Sequence, residues 1–370
     1  MFLSSISLKN IRKHTDTNIE FTDKLNYIVG GNGVGKTTIL EAIYYLCTTK
    51  SCLTKSDSEV VKIGEDSFNI NGRFLGLTDD SVQINFSKID NKKTFLLSNK
   101  QINKFSDVIG KFPVVLLSPA DHSITQGYPA ERRRFVDSVI SQASRTYLNL
   151  LLEYNRILKQ RSYLLNRIRE SGRTENREIE AWNEKMVQVG AEIIKHRISF
   201  VSEFVPYIKE SYDKILNEKE EPSFNYYFLE DNCQGDIESC FYSLLEQKKE
   251  NEFRRATNLV GPHRDDFIFD INRMNLKSYG SQGQHKTFQT ILRFAEYFYL
   301  KEKTENNPIF LLDDVFGELD AERASAISEY LSTVGQAFIT LTDFGNFTFL
   351  RAGKNDKVIK IKTDSKITYA

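Results

Sequence analysis

The run Gly30-Gly31-Asn32-Gly33-Val34-Gly35-Lys36-Thr37 matches the spacing G-x-x-x-x-G-K-[ST]. That spacing suits one task above others, the cradling of nucleotide phosphates. Glycines let the backbone curl until successive N–H groups point inward at phosphate oxygens. A helix starting directly after the loop adds the positive end of its dipole. Lys36 is then expected to reach the β and γ phosphates as a point charge, and the Thr37 hydroxyl to take one position on Mg²⁺. The expected nucleotide contacts are Gly30, Gly31, Asn32, Gly33, Val34, Gly35, Lys36, Thr37 and Thr38, with ATP and Mg²⁺ as cofactors.

Such a loop needs a carboxylate to complete the metal site, held at the end of a buried strand. Ile309-Phe310-Leu311-Leu312 followed by Asp313 and Asp314 supplies an apolar strand ending in two acids. Alternation along a strand puts neighbours on opposite sides, so the two acids are expected to have different jobs. Asp313 is assigned to Mg²⁺ and Asp314 to the attacking water, as general base. Lys36 and Asp313 stand 277 residues apart. A large insertion must therefore separate the two halves of one nucleotide-binding fold.

The elements that position these residues can be read from periodicity. From residue 1 to about 120, short alternating or apolar runs such as FLSSISL, KLNYIVG and FPVVLLS predict strands. One helix interrupts them, Lys36 to about Cys47, with Ile39, Leu40, Ile43 and Leu46 at helical spacing. Between about 130 and 220 the pattern turns to long helices, carried first by Tyr147, Leu151, Tyr154, Leu158, Leu165 and Ile168. A second run carries Trp182, Met186, Val189, Ile193 and Phe200. With the polar stretch Ser171 to Asn176 between them, the two predict an antiparallel hairpin with arms roughly 40 Å long. Beyond about 255, strands and helices alternate again, with strands at Pro308–Leu312 and Gln336–Leu341 around a helix at Ala321–Leu331. The expected architecture is one α/β head built from residues 1–128 and 251–370, with a helical arm, 129–250, inserted between its halves.

Composition narrows the function classes. The chain has 370 residues, 40% hydrophobic, with 50 basic and 50 acidic side chains. A globally basic coat is excluded, so any nucleic-acid surface must be local. No apolar run approaches the roughly 20 residues that span a bilayer. The opening residues lack the pattern of a secretory signal, so a cytoplasmic location with no membrane partner is expected. Cys47, Cys52, Cys233 and Cys240 form no CxxC pair and are expected to be reduced thiols.

Upstream of the acidic strand, Ser281-Gln282-Gly283-Gln284 resembles the signature motif of ABC-type ATPases. In those proteins the serine and the N–H groups after it bind the γ phosphate held by a second subunit. The resemblance implies that Ser281, Gly283 and Gln284 act in trans. Val315 to Asp320 resembles the D-loop of the same superfamily, and Thr342 stands where that superfamily has its switch residue, often a histidine. LKNIRKH, GGNGVGKTTILEAI, PAERRRFVD, GPHRDD, SQGQ and LLDDVFGELD, in this order between residues 3 and 320, resemble the RecF family of bacterial recombination mediators. The fold implied is an ABC/SMC-type P-loop ATPase head without a long coiled coil. The resemblance also places Arg12 near the nucleotide. It implies weak, DNA-stimulated ATP hydrolysis acting as a switch, and an ATP-dependent homodimer on double-stranded DNA near single-strand gaps. RecR, with RecO and RecA, would be partners in recombinational repair and replication-fork recovery.

DNA phosphates call for a local cationic surface. Residues 132–177 hold eleven basic side chains against four acidic ones in a chain of zero net charge. Arg132, Arg133, Arg134, Arg156, Lys159 and Arg161 are the candidates taken from this segment. No base-reading motif is apparent, which suits recognition of duplex shape and charge. The alternative reading is the ATPase subunit of an ABC-type transporter. It shares the head motifs but has no use for an arginine-rich helical insertion.

Overall fold

The computed structural model describes residues 1–171, 177–216, 220–231, 233, 235–318, 321–343, 353–362 and 367–369. Strands β1 (Phe2–Ile11), β2 (His14–Glu20) and β3 (Leu25–Val29) precede helix α1 (Lys36–Thr48). Strands β4 (Ser67–Leu75), β5 (Asp80–Ser87), β6 (Lys92–Leu97), β7 (Lys100–Gln101) and β8 (Val114–Leu117) follow. Next come helices α2 (His122–Gln126), α3 (Pro129–Ala143), α4 (Arg145–Ser171) and α5 (Arg177–Ile215), then β9 (Pro222–Tyr227) and α6 (Ile237–Arg255). The chain continues through β10 (Asp266–Ile271), β11 (Met274–Asn275), α7 (Leu276–Tyr279) and α8 (Gln282–Thr304). It closes with β12 (Ile309–Leu312), α9 (Ala321–Leu331), β13 (Ala337–Leu341), β14 (Lys357–Ile361) and β15 (Ile367–Tyr369).

The chain divides into two compact units. The first comprises residues 1–121, 210–218 and 289–370; the second comprises 122–209 and 219–288.

In the first unit, one six-stranded sheet has the order β15-β14-β3-β13-β12-β8, parallel except for β15. Its central strands are buried along their whole length, as a parallel sheet covered on both faces requires. The other six-stranded sheet, β2-β1-β4-β5-β6-β7, is antiparallel. Its strands β4 and β5 alternate buried and accessible residues, the mark of a sheet with one solvated face. Helix α1 shares one apolar core with both sheets: Ile39, Leu40, Ile43 and Leu46 pack in the same cluster as Phe68, Ile70, Ile84 and Phe338. Nearly every side chain of α1 after Thr37 is buried, so the helix that follows the glycine loop cannot shift without disturbing that core.

The second unit holds α3, α4 and α6 with the small sheet β11-β10-β9. Side-chain pairs fix α4 and α5 as antiparallel, since the partner number falls as the other rises. Arg197 Nε donates to Tyr147 Oη (3.1 Å), Arg161 Nε to Asn183 Oδ1 (2.7 Å), and Arg167 lies 3.6 Å from Glu178. Helix α4 has 27 residues, about 40 Å. Helix α5 is longer than expected, 39 residues, because it continues through Pro206. The polar turn between them, 172–176, lies outside the described residues.

The boundaries differ from the sequence reading at both ends of the insertion. Residues 251–288 fold with the helices because β10 pairs with β9, and Arg132 of α3 grips Asp266 of β10 with two bonds of 2.8 Å. The cysteines also differ. Cys233 and Cys240 are joined in a disulfide, whereas Cys47 and Cys52 are free thiols. Asp236 caps α6 by accepting from Ser239 N, which turns the chain so that the two cysteine Cα atoms lie 5.4 Å apart, within bridging range.

His263 of the GPHRDD segment is locked between the Tyr154 hydroxyl (3.0 Å) and Asn258 O (3.2 Å). Burial is the main cause that pulls it down to about 4 from an ordinary value of 6.5. The unfolded chain therefore takes up this proton first, so stability present above pH about 6.5 is lost as pH falls toward 4. The loss is on the order of 3 kcal/mol. Urea unfolding at pH 7 and pH 4.5 is expected to separate wild type from His263→Gln, the variant losing less on acidification. Equal losses would remove His263 from the acid response.

Candidate functional site

The glycine loop leaves the end of β3 and enters α1. Gly33 and Gly35 hold φ of 76° and 104°, the left-handed region that glycine enters without a Cβ penalty. Gly35 caps α1 with no side-chain bond, so the first N–H groups of the helix are left for another acceptor. Gly31, Asn32 and Gly33 are exposed, whereas Val34 and Thr38 are buried. The Lys36 ammonium donates to Gly30 O (2.6 Å) and Gly31 O (2.9 Å). Burial lowers its pKa, opposed by the charges of Asp314 and Asp313.

Three parallel strands bring the remaining groups to the same sheet edge. Strand β13 lies between β3 and β12, with Leu341 opposite Val29 and Leu312 opposite Ile339. Thr37 Oγ1 donates to Asp313 Oδ1 at 3.1 Å, and Thr340 Oγ1 donates to the same oxygen at 2.8 Å. Burial pushes the Asp313 carboxyl up, and the two hydroxyl bonds oppose that shift. An oxygen-only pair of a hydroxyl and a buried carboxylate suits a hard cation such as Mg²⁺. Among the described residues no group of three or more His, Cys, Asp or Glu could hold a metal. A cation here would rest on these two protein oxygens and on phosphate.

Asp314 parts company with Asp313, though not by strand alternation, since β12 ends at Leu312. Its φ is 53°, a left-handed value that Asp tolerates. Its N–H donates to Thr340 Oγ1 (2.9 Å), and the residue is exposed. Thr340 therefore braces both acids. In the sequence Thr340 carries no role of its own, and its one signal is a hydroxyl inside an otherwise apolar strand. Thr340→Val is expected to raise the Mg²⁺ concentration needed for ATP turnover by about 10- to 100-fold, with Thr340→Ser near wild type. A Mg²⁺ titration of turnover checks this, and an unshifted Thr340→Val curve would contradict it.

Arg12 lies on the turn between β1 and β2. Its guanidinium donates two hydrogen bonds to the carboxylate of Glu41 of α1, at 2.6 and 2.9 Å. That pairing raises the Arg12 pKa further. Arg12 thus grips the helix behind the loop. Two neighbours that the sequence reading did not name touch the loop itself: Lys13 Nζ donates to Gly33 O (2.6 Å), and His14 Nε2 lies 3.1 Å from Gly35 O.

Ser281, Gly283 and Gln284 belong to the second unit. Ser281 Oγ accepts from Gln284 N (3.2 Å) while Gln284 Oε1 accepts from Ser281 N (2.9 Å), a reciprocal cap on α8. Gln284 Nε2 also donates to Glu220 (3.1 Å), and Gly283 O accepts from Thr287 Oγ1 (2.9 Å). Thr342 and Asp343 are exposed just after β13. Of the segment Val315 to Asp320, Leu319 and Asp320 lie outside the described residues.

The arginine candidates need correction. Arg132 is 4% exposed and committed to Asp266, and Arg161 is 2% exposed and ion-paired to Glu252 at 2.6 Å. Neither presents its charge to an outside phosphate. Arg133 donates to Asp265 O (2.5 Å) and is half-buried. Arg134 is exposed beside Glu131, and Arg156 and Lys159 are exposed on α4. The heptad-like pattern of a helix cannot say which arginine finds a buried acid from a distant segment.

Comparison with known proteins matches residues 5–323 to the AAA domain family. The DNA replication and repair protein RecF of Chloroherpeton thalassium is 39% identical over 357 residues, covering 94% of this chain and 96% of its own. RecF of Salinibacter ruber is 35% identical over 355 residues, covering 94% and 86%. A solved recombination mediator protein, RecF-ATP of the RecFOR pathway, superposes with a TM-score of 0.90 at 28% identity, covering 100% of this chain and 97% of that one. An Smc head domain from Pyrococcus furiosus superposes at 0.59 with 14% identity and shares the fold. The fold is therefore the ABC/SMC-type P-loop ATPase fold, and the chain belongs to the RecF family of DNA replication and repair proteins.

Proposed function

We propose that this chain is an ATP-driven switch on DNA, acting in recombinational repair and at stalled replication forks. The observation that carries the reading is the meeting of Thr37 and Asp313, 276 residues apart in sequence, at one oxygen. Beside an exposed glycine loop and the Lys36 ammonium, that pair supports binding of ATP with Mg²⁺ by Gly30 through Thr38 and Asp313. Bound Mg²⁺ supplies charge neutralisation for the triphosphate. Asp314, exposed at the same sheet edge, is the candidate base for the attacking water, and its position near Lys36 supports that role.

Ser281, Gly283 and Gln284, at the start of α8, are proposed to meet the nucleotide of a second copy. Closure of two copies with ATP and release after hydrolysis make a slow ATPase into a timer. Double-stranded DNA at gaps is the proposed template, with RecR as a partner and RecO and RecA in the same pathway. Arg134, Arg156 and Lys159 are the candidates for phosphate contact, since they remain exposed. A cytoplasmic location goes with this reading; no described helix is long and apolar enough to cross a membrane.

Sedimentation alone, with ADP, with ATP, and with ATP plus a gapped duplex tests the proposal. A monomer that dimerises with ATP and is retained on that DNA is expected, and Ser281→Arg is expected to keep ATP binding but remain monomeric. A single species in all four conditions would overturn the switch, and a Ser281→Arg protein that dimerises normally would overturn the contact in trans.

A further inference from the structure

The turn between β1 and β2 and the first residue of β2 set three consecutive side chains against the loop and its helix: Arg12 on Glu41, Lys13 on Gly33 O and His14 on Gly35 O. His14 differs from the other two in being fully buried, at 0% exposure. A charged or flexible residue at the surface can let go of a carbonyl at little cost. A buried ring with both nitrogens engaged cannot.

The proton positions follow from the partners. Gly35 O can only accept, so Nε2 must carry the hydrogen and donate across the 3.1 Å contact. In the neutral ring Nδ1 is then bare, and the Thr17 hydroxyl, 3.0 Å away, donates to it. Burial holds the His14 pKa below its usual range, with the nearby Lys62 acting in the same direction. The ring is therefore neutral and locked in one tautomer by Thr17, which is itself 3% exposed. A Cβ placed on Gly35 would come within 2.5 Å of His14 Nε2, so the imidazole is packed onto this peptide as well as bonded to it.

The carbonyl in question belongs to the peptide that joins Gly35 to Lys36. A peptide unit is planar and trans, so its C=O and N–H point in opposite directions. Whatever fixes the direction of Gly35 O also fixes the direction of Lys36 N–H. The carbonyl accepts the first helical bond from Ile39 N as well, at a long 3.3 Å, which alone is a weak restraint on a left-handed glycine with φ of 104°.

We propose that His14 is a positioning residue for nucleotide binding: by gripping the carbonyl of the Gly35–Lys36 peptide it aims that peptide's N–H into the phosphate loop. The inference rests on the nucleotide-binding reading of the loop and adds to it a residue from outside the motif. It places the aim of a loop N–H under the control of the same strand pair whose turn sets Lys13 on Gly33 O. It also accounts for a buried polar ring at a position where an apolar one would be less costly to fold.

The test uses His14→Phe, which keeps a ring of similar size and removes both nitrogens, and His14→Gln, whose Nε2 can donate to Gly35 O while Oε1 accepts from Thr17. ATP and ADP affinity, KM and kcat for ATP, and the urea midpoint are measured for each. His14→Phe is expected to lose about tenfold in nucleotide affinity, about 1.4 kcal/mol, with kcat at saturation within about twofold of wild type. His14→Gln is expected to recover most of that affinity. Wild-type affinity in folded His14→Phe would overturn the proposal, as would a Gln variant no better than Phe. If His14→Phe does not fold, Thr17→Val is read instead: it unlocks the tautomer, about a threefold loss of affinity is expected, and no loss overturns the proposal. Lys36→Ala runs alongside. Undiminished ATP binding in Lys36→Ala would sink the nucleotide reading itself, whereas its loss together with a silent His14→Phe would sink only the role of His14.

Discussion

Asp314→Asn is expected to slow ATP turnover by about 10²- to 10⁴-fold while leaving ATP binding and the ATP-dependent dimer in place. The size follows from the proposed role, since an amide cannot take a proton from the attacking water. The choice of Asn matters because Asp314 sits at φ of 53°, and Asn is one of the few residues that tolerate that conformation. Its N–H bond to Thr340 Oγ1 is a backbone bond and survives the exchange. Asp313, bonded to Thr37 and Thr340, keeps its own geometry. Turnover and sedimentation with ATP on the same preparation check the prediction. A variant that turns over near the wild-type rate would move the general base elsewhere, and one that fails to bind ATP would show Asp314 to be part of the binding set.

Arg161 carries the second large effect, and it falls on stability. Its guanidinium bonds both oxygens of Glu252 (3.3 and 2.6 Å), Asn258 Oδ1 (2.6 Å) and Asn183 Oδ1 (2.7 Å). Glu252 is 1% exposed and also receives Leu259 N (2.7 Å). Removing only the cation leaves a carboxylate buried without its counter-charge. Arg161→Met is therefore expected to cost about 3–5 kcal/mol, read as a lowered urea midpoint.

The double variant Arg161→Met with Glu252→Leu is expected to recover part of that loss, because no charge then remains inside. Recovery stays incomplete, since Leu259 N, Asn183 and Asn258 have each lost a partner. Arg156→Ala and Lys159→Ala serve as contrast. Both side chains are exposed on the same helix, so their loss is expected to leave stability within about 0.5 kcal/mol. Each is expected to reduce the salt dependence of duplex binding by about one unit of slope. A stable Arg161→Met that binds DNA poorly would reverse the assignment of Arg161 to the interior.

Much of the fold was legible because its signals are local. The strand before the loop, the helix after it and the apolar runs Ile309–Leu312 and Ala337–Leu341 show in a few residues each. A parallel strand buried on both faces has to be apolar throughout, so such runs identify themselves. The helical hairpin was legible for the same reason, although Pro206 did not end α5 where a proline usually stops a helix. Disulfide pairing was not, since it depended on Asp236 capping α6 and folding Cys233 back toward Cys240.

For the candidate site, the sequence alone determined which residues have phosphate and metal chemistry: a contiguous glycine loop with its lysine and threonine, and two acids at a strand end. Those groups act through their own types and immediate neighbours, so a string of letters carries them. The tertiary structure alone decided what holds them. Thr340 reaches Asp313 because β13 lies beside β12, Glu41 receives Arg12 across 29 residues, and His14 meets Gly35 because a strand pair turns back over the loop. The same holds for the arginines. Charge counting places eleven cations in one segment, but burial against Asp266 or Glu252, 134 and 91 residues away, is settled only when distant chain is packed alongside. Desolvation and pairing are properties of a place in the fold, and no local pattern records them.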